Sequence, residues 1–386
     1  MLSFFDNLQD NKPHCPRCKL GVRCLRPVFP VYGTGSNGIM LVVDNPSYED
    51  ELYNTPLNSN EGHFLKRVLS DIGLDWEECW ITHAVNCNAN EVSHKHIQYC
   101  RPYVIDSIRT YRPKVVVTLG KDAMKSVLGY FETDFKDDMS LWDGIPVACR
   151  EFDCWILPLH STRYVMDCEK IGMVLTKFKE HLQNAFDHTT KSVRERVASV
   201  AYSESAILYP DNEQVVKLLE QFGHKDAVAF DYETTGLKPD LPEQQIVSMA
   251  LSDGETTFAF MMDKSLHVPV KRFLKSEAGK IAANYKFEEN WSVVKLRCPV
   301  NNWIHDTMLF ALCELNRPGT TGLKFQAFCK FGVVNYNKEV DDLLKGDGSN
   351  GLNQIYRIPK RTLLKYNALD ALYEWHLYYN QRREWE

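Results

Sequence analysis

The sequence predicts a two-domain α/β protein: an α/β sandwich on a largely parallel sheet, followed by a domain with a mixed sheet and helices. Three observations predict it. The chain has 386 residues, more than one hydrophobic core usually serves. Its first half alternates short apolar runs with amphipathic stretches, the pattern of strands joined by crossover helices. Its second half opens with a strand-like run into paired carboxylates, Asp231-Tyr-Glu233, and becomes mostly helical towards Tyr366 and Asp370.

The elements follow in order. In the first domain, 1–187, residues 39–43 and 80–85 read as strands, 62–71 and 95–111 as helices, and 114–119 as a buried strand. Residues 172–185 make a closing amphipathic helix. A polar stretch, 188–204, contains neither Pro nor Gly and links the domains as a short helix or tether. The second domain, 205–386, begins with a helix over 212–222 and a strand over 227–230. Strands over 245–252 and 256–262 come next, and the chain is mostly helical after 280–283. Internal repeats, low-complexity tracts and coiled-coil heptads are absent from the sequence.

Composition narrows the function. A hydrophobic share of 44% with 25% charged residues is that of a globular protein. The longest apolar runs have strand length, too short to span a bilayer, and Asp6 interrupts the opening Met1-Leu-Ser-Phe-Phe5 before a signal peptide can form. A cytosolic location is expected. The net charge of −6 neither marks a nucleic-acid binder nor excludes one, since local basic surface decides that. Twelve cysteines are many for a reducing compartment, where a cluster at ligand-like spacing points to metal.

Strand alternation places Asp231 and Glu233 on one face. Two carboxylates so close repel each other unless a cation lies between them, and an all-oxygen site suits Mg²⁺ or Mn²⁺. In Tyr366-Asn-Ala-Leu-Asp370 the spacing of four puts phenol and carboxylate on one helix face, where Tyr366 can position a water while Asp370 completes a metal shell. Among the cysteines, Cys15-Pro-Arg-Cys18 forms a C-x-x-C knuckle with Cys24 close behind, and Cys87 and Cys100 flank a polar loop. On chemistry alone four such sulfurs hold Zn²⁺ or an iron–sulfur cluster equally well. Cys79, Cys149, Cys154, Cys168, Cys298, Cys313 and Cys329 read as small core residues.

Residues 205–386 resemble the DEDDy-type 3′–5′ proofreading exonuclease domain of family A DNA polymerases, a ribonuclease H-like fold. The resemblance rests on Phe230-Asp231-Tyr-Glu233-Thr-Thr-Gly-Leu237, Asn284-Tyr-Lys-Phe-Glu288, Ile304-His-Asp306-Thr-Met308, Gly322-Leu-Lys-Phe325 and Tyr366-x-x-x-Asp370, in that order. It implies two Mg²⁺ or Mn²⁺ on Asp231, Glu233 and Asp370, a water oriented by Tyr366, and a substrate end held by Asn284 and Thr234. Glu288 stands where the family has Asp, a side chain longer by one methylene, and is preferred to Glu289 by the helical register from Asn284.

Residues 1–187 resemble the family 4 uracil-DNA glycosylases, an α/β/α sandwich carrying a [4Fe–4S] cluster. The matching segments are Cys15-x-x-Cys18, Ile39-Met-Leu-Val-Val43 leading to Asp44-Asn-Pro46, Ile81-Thr-His-Ala-Val-Asn-Cys87, Cys100-Arg-Pro102, Pro113-Lys-Val-Val-Val-Thr-Leu-Gly120 and Leu157-Pro-Leu-His160-Ser161. The resemblance implies Cys15, Cys18, Cys87 and Cys100 as cluster ligands, with Cys24 the runner-up. The glycosylase pocket departs from the family: Asp44 replaces its Glu, Leu57 its stacking Phe and His83 its base-reading Asn, while His160 keeps its place without its partners. Loss of excision activity is therefore expected, with the domain retained to hold DNA or dock a polymerase. Arg17, Lys19, Arg23, Arg26 and Arg101 are candidate phosphate contacts.

The expected function is a metal-dependent 3′–5′ DNA exonuclease acting on single-stranded or frayed ends, in the setting of a phage-type polymerase. No palm or fingers sequence follows Glu386, so a fragment or split gene product is expected, with a polymerase module or replication proteins as partners. A base-excision enzyme with an active glycosylase half and a non-catalytic DNA-binding or regulatory protein are the alternatives.

Overall fold

The computed structural model describes residues 15, 18–131, 137–348 and 350–385, and the chain divides into two compact units, Met1–Arg194 and Glu195–Glu386. In the first, Ile39–Val43 (β1), Trp80–His83 (β2), Val115–Leu119 (β3), Val147–Cys149 (β4) and Cys154–Leu159 (β5) form one sheet in the order β2-β1-β3-β5-β4. All neighbours are parallel except β4, which runs antiparallel to β5. Strand β3 is buried along its whole length, which is why it reads as the unbroken apolar run Val-Val-Val-Thr-Leu rather than as an alternation.

Side-chain caps fix where the helices of this unit start. Ser59 accepts from the Gly62 amide at 3.1 Å and opens Asn60–Asp71, whose Phe64, Leu65, Val68 and Leu69 are buried. Ser93 and His96 form a reciprocal capping box at the start of His94–Tyr111. Gly172–His188 buries Phe178, Leu182 and Ala185.

The β4–β5 hairpin is not among the elements expected from sequence. Strand β4 has three residues, and Pro158 argues against a strand over 154–159. Pro158 is tolerated because β4 pairs only with residues 154–156, which leaves this stretch of β5 without a β4 partner. The cysteine reading also needs correcting: Cys313 is exposed and Cys168 only half-buried, whereas Cys79, Cys149, Cys154, Cys298 and Cys329 are buried. Cys313 lies on the helix Thr307–Leu315, of which only Thr307 and Ala311 are buried.

In the second unit, Ala227–Thr234 (β6), Ile246–Ser252 (β7), Thr257–Met261 (β8), Gly279–Ala282 (β9) and Trp303–Asp306 (β10) form a mixed sheet in the order β10-β9-β6-β7-β8. The first three are antiparallel neighbours, while β9 and β10 run parallel to β6. That is a ribonuclease H-like arrangement. The chain is mostly helical after 283, as expected, and β10 is the one strand among the described residues there. It is a sheet-edge strand of four residues, of which only Asp306 is buried, and so short a run carries no periodic signal.

The core of this unit packs Phe222, Phe230, Phe258, Phe273 and Trp291. Across β6, β7 and β8 lies the terminal helix, Lys360–Trp385. Ala368 and Ala371 of that helix meet Ala250 and Ala259 of the sheet, and small residues on both sides let helix and strands approach closely. Residues 193–205 form a helix. Among the described residues no helix is long and apolar enough to cross a membrane.

Candidate active site

Strand β6 and the terminal helix bring three carboxylates together. One ligand oxygen each from Asp231, Glu233 and Asp370 lies within 4.8 Å of the others. Asp231 and Glu233 are half-buried while Tyr232 and Thr234, on the opposite face, are buried, as period-two alternation requires. Burial, then the Asp370 charge, holds the Asp231 carboxyl well above the usual range. Burial, then Asp231 and Asp370, does the same to Glu233, and burial raises Asp370 to about 6. A hard divalent cation removes both penalties, and a compact all-oxygen donor set fits Mg²⁺ or Mn²⁺.

Several neighbours fix these acids. Asn367 donates to the Asp231 Oδ2 at 2.6 Å, and its own oxygen accepts from Ser248 at 2.9 Å. Tyr336, on the segment after the helix Leu323–Phe331, donates to Asp370 and stacks on Tyr366 at 5.8 Å. Tyr366 lies one helical turn before Asp370 and helps to lower its carboxyl. Burial, then Asp370, pushes the Tyr366 phenol well above its ordinary value, so it stays protonated at neutral pH and acts as a donor rather than a base. Lys324 lies near enough to lower Asp231, Glu233 and Asp370, with Nζ 5.4 Å from the Tyr366 ring centre.

Asn284 sits at φ 69°, ψ 59°, immediately before the helix Tyr285–Leu296. Its backbone is held by Asp306, whose carboxylate accepts the amides of Asn284, Tyr285, Met308 and Leu309 at 2.9–3.1 Å. One carboxylate therefore anchors the starts of two helices. Glu288, one turn into the first, is 2% exposed with Oε2 unpartnered. Burial, then Asp231, raises its carboxyl strongly. Glu289 is committed elsewhere, accepting from the Val300 amide and the Trp303 indole. The sequence reading put Thr234 against substrate. The structure instead commits its hydroxyl to the Gly236 carbonyl at 2.7 Å, because alternation turns it away from Asp231 and Glu233.

Motifs reading did not find Asn367, Tyr336, Lys324 or Glu374. Asn367 and Glu374 carry a positional signal, being one residue after Tyr366 and four after Asp370. Tyr336 carries none, since a loop brings it to the site.

In the first unit, Asp44, His83 and His160 all lie where parallel strands end, after or at the last residue of β1, β2 and β5, the edge where α/β sheets place their sites. A cleft of about 570 Å³ is lined by Asp44, Leu57, His83, Ser161 and Arg163, among others. Burial lowers His83 to about 3 and keeps its imidazole neutral, with Nδ1 unpartnered. Leu57 is buried at φ 62°. The His160 amide donates to Asp143 Oδ1 at 2.9 Å, and the His160 ring stacks on Tyr164 at 4.4 Å.

Burial, then Asp122, raises Asp44 to about 7. The folded protein therefore keeps a proton that the unfolded chain releases near pH 4. Stability contributed by this group is complete below about pH 4, is lost between about pH 4 and 7, and totals up to about 4 kcal/mol. Urea unfolding at pH 5 and pH 8 should show the loss, and Asp44→Asn should flatten it. An equal pH slope in that variant would remove Asp44 as its source.

Cysteines gather close to the cleft, since Asn88, which lines it, follows Cys87 and meets Cys24. Burial raises Cys87 and also Cys100, the latter to about 11, and both sense the charges of Cys15 and Cys18. Donors approach two of the sulfurs: the Val28 amide on Cys87 at 3.5 Å and the Tyr103 hydroxyl on Cys15 at 3.5 Å. Such donors favour thiolates, and four of them fit a thiolate-ligated metal group. Cys24 is placed differently. Its thiol lies against the Leu20 and Asn88 carbonyls at 3.1 and 3.3 Å, and burial pushes it up to about 12. Arg101 turns inward onto the Lys125 and Ser126 carbonyls, so it is no phosphate contact. Lys19, Arg23 and Arg26 are exposed, and Arg17 lies outside the described residues.

Comparison with known proteins divides the chain in the same way. Residues 29–188 match the uracil DNA glycosylase superfamily, and residues 207–385 match the family described as 3′–5′ exonuclease. The type-4 uracil-DNA glycosylase of Saccharolobus solfataricus is 28% identical over 120 residues, covering 30% of this chain and 55% of that protein. The type-4 enzyme of Archaeoglobus fulgidus is 27% identical over 124 residues, covering 31% and 62%. The chain thus spans little more than half the length of these curated relatives. Among solved structures, the exoribonuclease RNase D of Escherichia coli aligns over 46% of this chain and 44% of its own at 18% identity, with a TM-score of 0.35, too slight a likeness to bear on function. The chain carries a uracil-DNA glycosylase superfamily domain followed by a 3′–5′ exonuclease domain.

Proposed function

We propose that the protein is a metal-dependent 3′–5′ exonuclease of the proofreading type, removing nucleotides from single-stranded or frayed DNA ends. The observation that carries this reading is the convergence of Asp231, Glu233 and Asp370 within 4.8 Å, with Tyr366 one helical turn from Asp370 and in electrostatic reach of it. When bound, two divalent cations stabilise the attacking and leaving oxygens of an in-line displacement. The chain's own part is positional. Asp231, Glu233 and Asp370 hold the cations, Glu288 supports them, Tyr366 orients the water, Asn284 holds the 3′ nucleotide and Lys324 meets a substrate phosphate.

The test follows release of mononucleotides from 5′-labelled single-stranded DNA in Mg²⁺ or Mn²⁺. Tyr366→Phe keeps the ring and its stacking on Tyr336 but removes the donor. Its kcat should fall by roughly 10²-fold, within the range for a positioned proton-handling group, with KM unchanged. A variant as fast as the parent would remove Tyr366 from the chemistry.

In this reading the first domain holds DNA or docks a polymerase module or other replication proteins, in the cytoplasm of a cell or of a phage's host. Its cysteine site carries a [4Fe–4S] cluster on Cys15, Cys18, Cys87 and Cys100 that clasps the N-terminal segment to the sheet. Uracil excision is lost, because neutral His83 offers one donor and one acceptor on separate ring atoms where an amide offers an adjacent pair, and because Leu57 has no ring to stack. The base-excision alternative draws on the cleft with Asp44 at its edge. Alkali-labile sites in uracil-containing DNA would favour that alternative; intact DNA favours loss.

A further inference from the structure

The terminal helix repeats polar residues at intervals of four: Tyr366, Asp370 and Glu374. Positions i, i+4 and i+8 share a helix face, so Glu374 comes to the same site as its two predecessors. It is 1% exposed. One oxygen, Oε1, accepts the Ala283 amide at 3.1 Å, and the other, Oε2, has no partner. Glu288, from a different helix, is in the same condition, 2% exposed with its own Oε2 unpartnered. Asp231, Glu288 and Asp370 all lie within electrostatic range of Glu374.

Two orphaned carboxylate oxygens at this depth need an explanation. As an anion, each carries an uncompensated desolvation cost. Protonating both does not remove it, because each neutral acid then presents an O–H that needs an acceptor. Apolar side chains of similar size would be cheaper at both positions. A divalent cation shared between the two satisfies both oxygens at once, and an all-oxygen donor set suits Mg²⁺ or Mn²⁺. The Ala283 bond adds order: with Oε1 fixed to the backbone just before Asn284, Oε2 is the oxygen left for a ligand.

We propose that Glu374 is a direct cation ligand, pairing with Glu288 to hold a second divalent cation beside the one bound by Asp231, Glu233 and Asp370. The proposal rests on the exonuclease reading and adds a carboxylate to it. It also accounts for the glutamate at 288: the two glutamates act as a pair.

The experiment counts Mn²⁺ bound to the full chain, from the loss of the free-ion electron paramagnetic resonance signal, with a phosphorothioate-ended oligonucleotide present. It compares the parent, Glu374→Gln and Glu288→Gln, and measures nuclease rate in parallel. Glutamine keeps the size of Glu374 and can still accept from Ala283. The parent should bind two ions and Glu374→Gln one, with the rate lower by on the order of 10²-fold and partly restored by excess Mn²⁺. Glu288→Gln should lose the same ion. Retention of two ions with unchanged affinities in Glu374→Gln overturns the proposal whatever the rate, as does a parent that binds one. If the parent is an active nuclease under those outcomes, the exonuclease reading stands and only the role of Glu374 falls. A parent with neither ion binding nor nuclease activity would end both.

Discussion

Replacing Asp231 with alanine should lower mononucleotide release by on the order of 10³-fold, equivalent to about 4 kcal/mol of transition-state stabilisation. No other carboxylate in the site has a comparable position. Asp231 is in the close trio with Glu233 and Asp370, and its charge also raises Glu288 and Glu374. Removing it strips a ligand from one cation site and a nearby charge from the other. The fold should survive, because the lost carboxylate is a source of repulsion in the cation-free protein. Thermal unfolding without added metal should therefore show the variant at least as stable as the parent. Release of nucleotides at the parent's rate would sink the nuclease assignment, and a collapsed melting transition would show that Asp231 is structural.

Cys100→Ser should empty the cysteine site and open the segment that it ties. Residues 18–30 contain one short 3₁₀ turn, Lys19–Val22, with no buried residue, and their buried side chains are few. On the cluster proposed above, a segment so poor in core contacts would depend on the metal group, whose binding energy is folding energy. The variant should lose the brown colour and the bound iron of a cluster protein, gain protease cleavage within 18–30, and melt lower by roughly 5–10 °C. Colourless parent protein with one equivalent of zinc would replace the cluster with a zinc site. Unchanged iron content in Cys100→Ser would remove Cys100 from the ligand set and return Cys24 to consideration.

What the sequence made legible was local. The helix Asn212–Phe222 and strand β6 were readable because each carries its own period and its own punctuation. Asp211 caps the helix in a reciprocal box with Gln214, and the alternation of β6 places Asp231 beside Glu233. Short elements with conflicting signals were not readable. Pro158 masked β5, whose neighbour β4 has only three residues, and β10 is a four-residue edge. The same division holds in the site. Spacing within one element pairs Tyr366 with Asp370, and helical register selects Glu288 over Glu289. Nothing local reveals that Asn367 bonds Asp231 across 136 positions or that Tyr336 reaches Asp370 from a loop. Thr234 shows the opposite failure: a motif position whose side chain the local turn had already claimed.

The terminal helix has a consequence for how the gene can change. Because Tyr366, Asp370 and Glu374 are placed by winding alone, inserting or deleting one residue between 366 and 374 rotates everything beyond it by roughly 100°. Such a change would part Tyr366 from the two acids, or Glu374 from the other two, while leaving the chain helical. Single-codon length changes there should be lethal to activity yet silent in overall helix content. Even an insertion of seven residues, close to two full turns, would restore the facing only by shifting the side chains roughly 10 Å along the axis.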